Sequence, residues 1–231
     1  MNLINTLIAG VSIGAVYSLI AFALILVWRS TRVVNFAQAG QAAFSTYIGL
    51  SIEKALDNFW LALIAAIIAG IVVGAFVEVV IVRFIVKRAT SAATVTVAPV
   101  IAMLGLLGIF QGVMGLIWGG DYQAYPTAFS RDGLTVNGTQ IPFSQNDLFV
   151  LLTVVAAKLI AALIFQKTSL GLAMRAAAFA PEVTRLSGIR VSRIRTLGWA
   201  FAGGAGGLAG VLVAPTTFIA PNSFDLLLVF G

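Results

Sequence analysis

Six blocks of mainly apolar residues, at 3–28, 34–52, 59–82, 93–118, 148–165 and 196–214, alternate with shorter polar links. An α-helix rises about 1.5 Å per residue and the hydrocarbon layer of a bilayer is about 30 Å thick. Blocks of this length therefore predict helices that cross a membrane rather than helices buried in a soluble core. The second block is the least apolar and carries Asn35, Gln38 and Gln41, which predicts a short or broken span lined by protein. A new apolar run opens at Leu226 and is too short to span by Gly231, so the sequence reads as a fragment. No Lys or Arg precedes the first block, and that block is too long for a signal-peptide core, so it reads as a retained first span. The expected fold is an all-α, polytopic membrane helical bundle with about six spans, forming one domain over residues 1–231.

The links carry the orientation. With the N-terminus outside, Arg29 and Arg32, then Arg83, Lys87 and Arg88, then Lys167, Arg175, Arg185, Arg190, Arg193 and Arg195 all fall inside, eleven of the 14 basic residues. Lys54 and Arg131 fall outside, and Lys158 lies within a block. This is the positive-inside asymmetry of a plasma-membrane protein. The outer link 119–147 contains Leu134 to Ile141, with Asn137-Gly138 at its centre, which predicts a hairpin closed by a type I′ turn.

Composition narrows the chemistry. Hydrophobic residues make up 60% of the chain and charged residues 10%, too few charges to cover a soluble fold. With neither cysteine nor histidine, the chain lacks thiolate chemistry, the usual general base and the commonest metal ligands, so no catalytic and no metal site is expected. The net charge of +6 follows the inner links, which points to a membrane surface and not to nucleic acid.

Several residues within the blocks invite a second reading. Glycines recur four apart at Gly10/Gly14, Gly70/Gly74, Gly108/Gly112, Gly203/Gly207 and Gly206/Gly210, a spacing for close helix packing or for a contact that slides. Glu78 and Lys158 are ionisable groups inside spans. Either they pair with each other, or Lys158 reaches to the interface. Asn35, Gln38 and Gln41 either bond neighbouring helices or line a polar route, with Gln111 a weaker candidate for the same route.

The segment 166–195 is too polar to span and too patterned for a linker. Ser169 suits the start of a helix running through Met174 to Phe179. Pro181 suits the first position of a second short helix, Glu182 complements its N-terminus, and Gly188 stands where a left-handed C-terminal cap belongs. Val183 and Leu186 share one side of it, and Arg185 lies among the basic residues. Such a loop serves as a topology and lipid signal or as a docking site for a partner.

Thr168 to Ala176 followed by Pro181 to Ile189 resembles the coupling segment of permease subunits in branched-chain amino acid ABC importers. Glu182 and the glycine six residues later match the loop by which such permeases engage their ATPases, while Val183 and Thr184 replace the usual alanine pair and the hydrophobic-proline ending is absent. Val33 to Gly40 resembles the opening of that family's second span, where histidine is common at the position of Gln38. Glu78 followed by Arg83 resembles the end of its third span, without the proline-leucine-arginine that commonly follows. The resemblance covers essentially the whole chain and implies about two further spans.

It also implies an importer of branched-chain or related hydrophobic amino acids in a bacterial inner membrane. The implied partners are a second permease subunit, two ATPase subunits and an extracytoplasmic binding protein. Pro181, Glu182, Arg185, Leu186 and Gly188 would then couple to the ATPases. The chain has no phosphate-binding P-loop, so ATP and Mg would be bound by the partner chains and this chain would hold no cofactor. An ion-coupled secondary transporter or channel is the competing expectation. Related permeases also serve urea and short amides.

Overall fold

The computed structural model describes residues 3–31, 34–88, 92–136 and 139–225. The turn at Asn137-Gly138 and the run from Leu226 lie outside the described residues. In chain order the elements are α1 (Leu3–Thr31), α2 (Gln38–Leu56), α3 (Phe59–Phe76), a π-helical turn (Val77–Val82), α4 (Arg83–Arg88), α5 (Ala92–Trp118), the hairpin β1 (Gly133–Val136) and β2 (Thr139–Ser144), α6 (Gln145–Lys167), α7 (Ser169–Phe179), α8 (Pro181–Leu186) and α9 (Val191–Thr217).

The helical bundle expected from the sequence is present, with one small antiparallel hairpin added among the described residues. Helices begin where the sequence supplies caps. Asn58 accepts from the Leu61 amide at the start of α3, and Ser144 with Asp147 forms a reciprocal capping box at the start of α6. Among the described residues, four helical stretches are long and apolar enough to cross a membrane: Phe59–Ile85, Val97–Trp118, Gln145–Lys167 and Val191–Thr217. Among the described residues of α1 the apolar stretch is Gly14–Trp28. Helix α2 has 19 residues, long enough to cross the hydrocarbon layer, but it is too polar to face lipid on all sides.

Helix α9 is the hub. It packs against α3, α1 and α2, and most of its side chains are buried. Helices α3, α5 and α6 form the rim and expose rows of large apolar residues: Ile64, Ile68 and Val72 on α3, Ile101, Leu104 and Ile109 on α5, and Leu152, Leu159 and Leu163 on α6. An apolar surface on this scale is excluded in water and suits hydrocarbon.

The two ends of the bundle differ in chemistry. One gathers Arg83, Lys87, Arg88 and the segment α7–α8. The other holds the link between α5 and α6, where Trp60, Phe129 and Phe149 pack edge to face and Phe44, Tyr47 and Trp118 form a second aromatic group. Lys54 donates to Gln123 at that second end, and Arg131 donates to the Pro215 carbonyl there. Tyr125 is buried in the same link, and burial, with Glu53 adding to it, pushes its phenol far above the ordinary value, so it stays neutral.

Candidate coupling face and polar helix core

At the basic end α7 is fixed from beneath and α8 is left open. Thr168, one residue before Ser169, caps α7 by accepting from the Gly171 amide at 3.2 Å, and Ser169 becomes the first helical residue. A Cβ at Gly171 would collide with the carbonyls of Ile164 and Phe165, so only glycine lets α7 fold back so sharply against the end of α6. Met174 and Ala177 then bury against Val191 and Ile194 of α9, with Phe165 and Phe201 beside them.

Helix α8 begins with Pro181 at its first position and ends as the sequence predicts. Gly188 has φ +81°, its amide donates to the Arg185 carbonyl and the Ile189 amide to that of Thr184, the two bonds of a Schellman cap. Thr184 turns inward and is buried, while Phe179 is 91% exposed and Leu186 89% exposed, with Val183 also outside. Between them Arg185 donates to Glu182 at 2.8 Å, an i,i+3 pair on the surface. The result is an apolar, ion-paired face on a short helix closed at its C-terminus. Phe179 had no signal beyond its place at the end of an apolar helix.

Polar residues at the start of α2 and just before it come together deep inside. Asn35 donates to Gln38 Oε1 at 2.8 Å, Gln41 donates to Asn35 Oδ1 at 3.4 Å, and Gln38 Nε2 reaches across to the Ala202 carbonyl of α9 at 3.1 Å. All three are essentially inaccessible, as are Ser45 and Thr46 further along α2. Gly206 and Gly210 of α9 face this stripe, where added Cβ atoms would run into Gln38 and Thr46. The triad thus ties α2 to α9, and Gln41 Oε1 keeps no partner. Gln111 is not part of it: its amide donates to both oxygens of Asp225, at 3.1 and 2.9 Å.

The expected pairing of Glu78 with Lys158 is corrected. Glu78 is fully buried on the π-helical turn and its partner is Arg83, which donates to Oε2 at 2.8 Å and also to Thr196 Oγ1 and the Ser192 carbonyl of α9. Thr196 donates to the same carboxylate oxygen at 2.6 Å. Lys158 instead donates to Ser18 of α1. The physical reason lies in the seams: α3 packs on α9 and α6 packs on α1, so acid and base face different neighbours. Three of the five glycine pairs also sort by neighbour. Gly70/Gly74 and Gly203/Gly207 form one α3–α9 seam, and Gly206/Gly210 faces α2. Gly108/Gly112 has nothing within 4 Å of an added Cβ, and the same holds for Gly10/Gly14.

Residues 6–230 match the sequence profile of the family described as "Branched-chain amino acid transport system / permease component". The "Probable branched-chain amino acid transport permease protein LivH" of Methanocaldococcus jannaschii is 27% identical over 215 residues, which cover 91% of this chain and 66% of that relative. The chain thus spans just under two thirds of the length of the curated relative it matches. No solved structure matches. The apolar helices and the family together make this a multi-pass membrane protein and a component of a transport system. The chain belongs to the family of permease components of branched-chain amino acid transport systems.

Proposed function

We propose that this chain is the membrane subunit of an ATP-driven importer of branched-chain amino acids, with the N-terminus outside, in a bacterial inner membrane. The observation that carries the reading is the end of α7 with α8: Phe179 at the close of α7, then a C-capped helix presenting Val183 and Leu186 beside the Glu182–Arg185 pair, on a base buried against α9. The segment that holds it has too many charges to enter lipid. An apolar face raised on such a segment suits a soluble protein partner, and in this family reading that partner is an ATPase. Pro181 and Gly188 fix the two ends of α8, and Leu186 with the Glu182–Arg185 pair supplies the contact. A second permease subunit and a substrate-binding protein on the outer side complete the assembly. ATP and Mg belong to the ATPase chains.

An ion-coupled carrier that works through a membrane acid needs that acid free to exchange a proton or cation. Glu78, the fully buried acid among the described residues, has its Oε2 engaged by both Arg83 and Thr196. The test is purification of the full-length protein from its own membranes in mild detergent, followed by reconstitution into vesicles. Co-purifying ATPase chains and ATP-dependent leucine uptake are expected. Leucine uptake driven by an ion gradient with no ATPase present would replace this reading with the carrier.

A further inference from the structure

The outer side of α3 continues past the π-helical turn into α4. Val72, Phe76, Val80 and Phe84 follow one another four residues apart, and each is roughly half exposed. Residues so spaced share one face, so they form a single apolar ridge. None of the four is small. Helix contacts in membranes favour small residues, and the α3–α9 seam of this chain is built from glycines. A ridge of bulky side chains suits an acyl chain better than a second helix.

At the basic end the ridge stops among cations that face no carboxylate. Arg88 lies over the Phe84 ring, 4.0 Å from its centroid. That contact holds the guanidinium beside the last apolar residue of the ridge, where hydrocarbon gives way to headgroups. Lys87 stands one turn beyond Arg83, on the same side of the helix. Arg83 donates to the Ser192 carbonyl and to Thr196, so that side faces the start of α9. There Arg190 and Arg193 flank Ser192 in the chain. Lys87, Arg88, Arg190 and Arg193 are all exposed. The acids at this end are Glu78 and Glu182, and each is already paired, with Arg83 and with Arg185. Four like charges gathered without an acid repel one another, and an anion placed among them reverses that cost.

We propose that this junction binds an anionic phospholipid of the leaflet at the basic end. Its phosphate sits between Lys87 and Arg88 of α4 and Arg190 and Arg193 of α9, and an acyl chain lies along Phe84, Val80 and Phe76. Basic residues at the edge of membrane helices recognise anionic headgroups in this way. The site uses neither α8 nor the polar triad, so it stands apart from the transport reading.

The full-length protein, with the chains that co-purify, is titrated in mild detergent with phosphatidylglycerol or with phosphatidylcholine of the same acyl chains. Native mass spectrometry counts the bound lipid. Phosphatidylglycerol is expected to bind severalfold more tightly, and inorganic phosphate should not displace it. Lys87→Gln with Arg88→Gln, and Arg190→Gln with Arg193→Gln, should each remove that preference. Phe84→Ala should weaken the binding of phosphatidylglycerol, because it removes both the top of the ridge and the seat of Arg88. Arg88→Gln alone serves where a double variant does not assemble. Lys167→Gln with Arg175→Gln removes two exposed cations from the same end, on α6 and α7, and should leave the preference intact. Equal binding of the two lipids by the parent overturns the proposal. So does a preference lost just as fully in the Lys167 and Arg175 variant, which would make it diffuse surface charge. A preference that survives either junction pair also overturns it. Displacement by inorganic phosphate would show a free-anion site in place of a lipid site. Loss of a second permease chain from the junction variants, with lipid binding unchanged, would give the ridge to a subunit contact.

Discussion

Helix α9 meets its neighbours in two opposite ways. Toward α3 it presents Gly203 and Gly207, and α3 answers with Gly70 and Gly74. The backbones touch there, and a Cβ on Gly203 would run into the Gly70 carbonyl while one on Gly70 would run into that of Gly203. At its basic end it carries α7, which buries one face and holds α8 out with its largest apolar side chains exposed. The first contact has no slack, because backbone cannot rotate aside. The second buries side chains on one face and leaves the other face open. Under the proposed function the two contacts divide the work: an open face to be gripped by a soluble partner, and a close-packed seam that moves as one body.

The comparison breaks first at the seam. Gly203→Val should cost more than the usual overpacking penalty of about 1–3 kcal/mol, because the clash is with backbone. Folded, monodisperse protein after detergent extraction should be largely lost. Gly108→Ala, on the open face of α5 where nothing lies within 4 Å, should leave the melting temperature unchanged or raise it slightly. Equal melting temperatures for the two variants would show that four-residue glycine spacing says nothing about which seam is close-packed.

Next comes the clamp that joins the seam to the basic end. Removing one partner of a buried ion pair typically costs about 3–5 kcal/mol, and Arg83 is partly exposed, with its side chain 27% accessible. Glu78→Ala should therefore fall at or below the low end of that range. Glu78→Gln, which keeps a group for Thr196 to bond, should lose less. Thermal unfolding in detergent reads both, and a Glu78→Ala protein as stable as its parent would mean that Arg83 finds water as readily as it found the carboxylate.

The clamp also shows where the sequence could be read and where it could not. The blocks of apolar residues, the hairpin and the pair α7–α8 with Gly188 at its end were visible, because each rests on local periodicity or local capping. Glu78 and Arg83 were not paired on the sequence because they stand five apart, and on an α-helix partners stand three or four apart. A π-helical turn, with its i→i+5 bonding, brings them together, and nothing in the sequence from Val77 to Val82 marks one. Asn35, Gln38 and Gln41 were legible as a cluster. That the cluster bonds to the Ala202 carbonyl was not, since the acceptor is a backbone atom 164 residues away.

That cluster gives the third prediction. Gln38→Leu leaves the Asn35 amide and the Ala202 carbonyl without their partner, at about 1–3 kcal/mol for buried groups left unsatisfied. The melting temperature should drop measurably, and leucine uptake should slow without loss of assembly. Uptake unchanged at a lowered melting temperature would confine the triad to holding α2 on α9.

The smallest effect on stability belongs to the open face, and there it should separate from function altogether. Phe179 and Leu186 bury almost nothing within this chain, so Leu186→Ser and Phe179→Ser should each stay within about 0.5 kcal/mol of the parent. Surface ion pairs contribute little, so Glu182→Ala belongs with them as far as folding goes. If α8 is where an ATPase grips, these same changes should strip ATPase chains from the purified complex and lower ATP-driven uptake while the melting temperature of the membrane subunit stays put. Gly188→Val provides the internal control. It forces a side chain into a left-handed backbone, costing about 1–2 kcal/mol locally, so it should loosen α8 and weaken the same association without touching the exposed side chains. Loss of partner binding in all four variants locates the grip on the shape and surface of α8 together. Loss with Gly188→Val alone would mean that the exposed side chains are incidental and that the partner reads the backbone turn. Retained binding and full uptake in every one of them would leave α8 as a topology signal and nothing more.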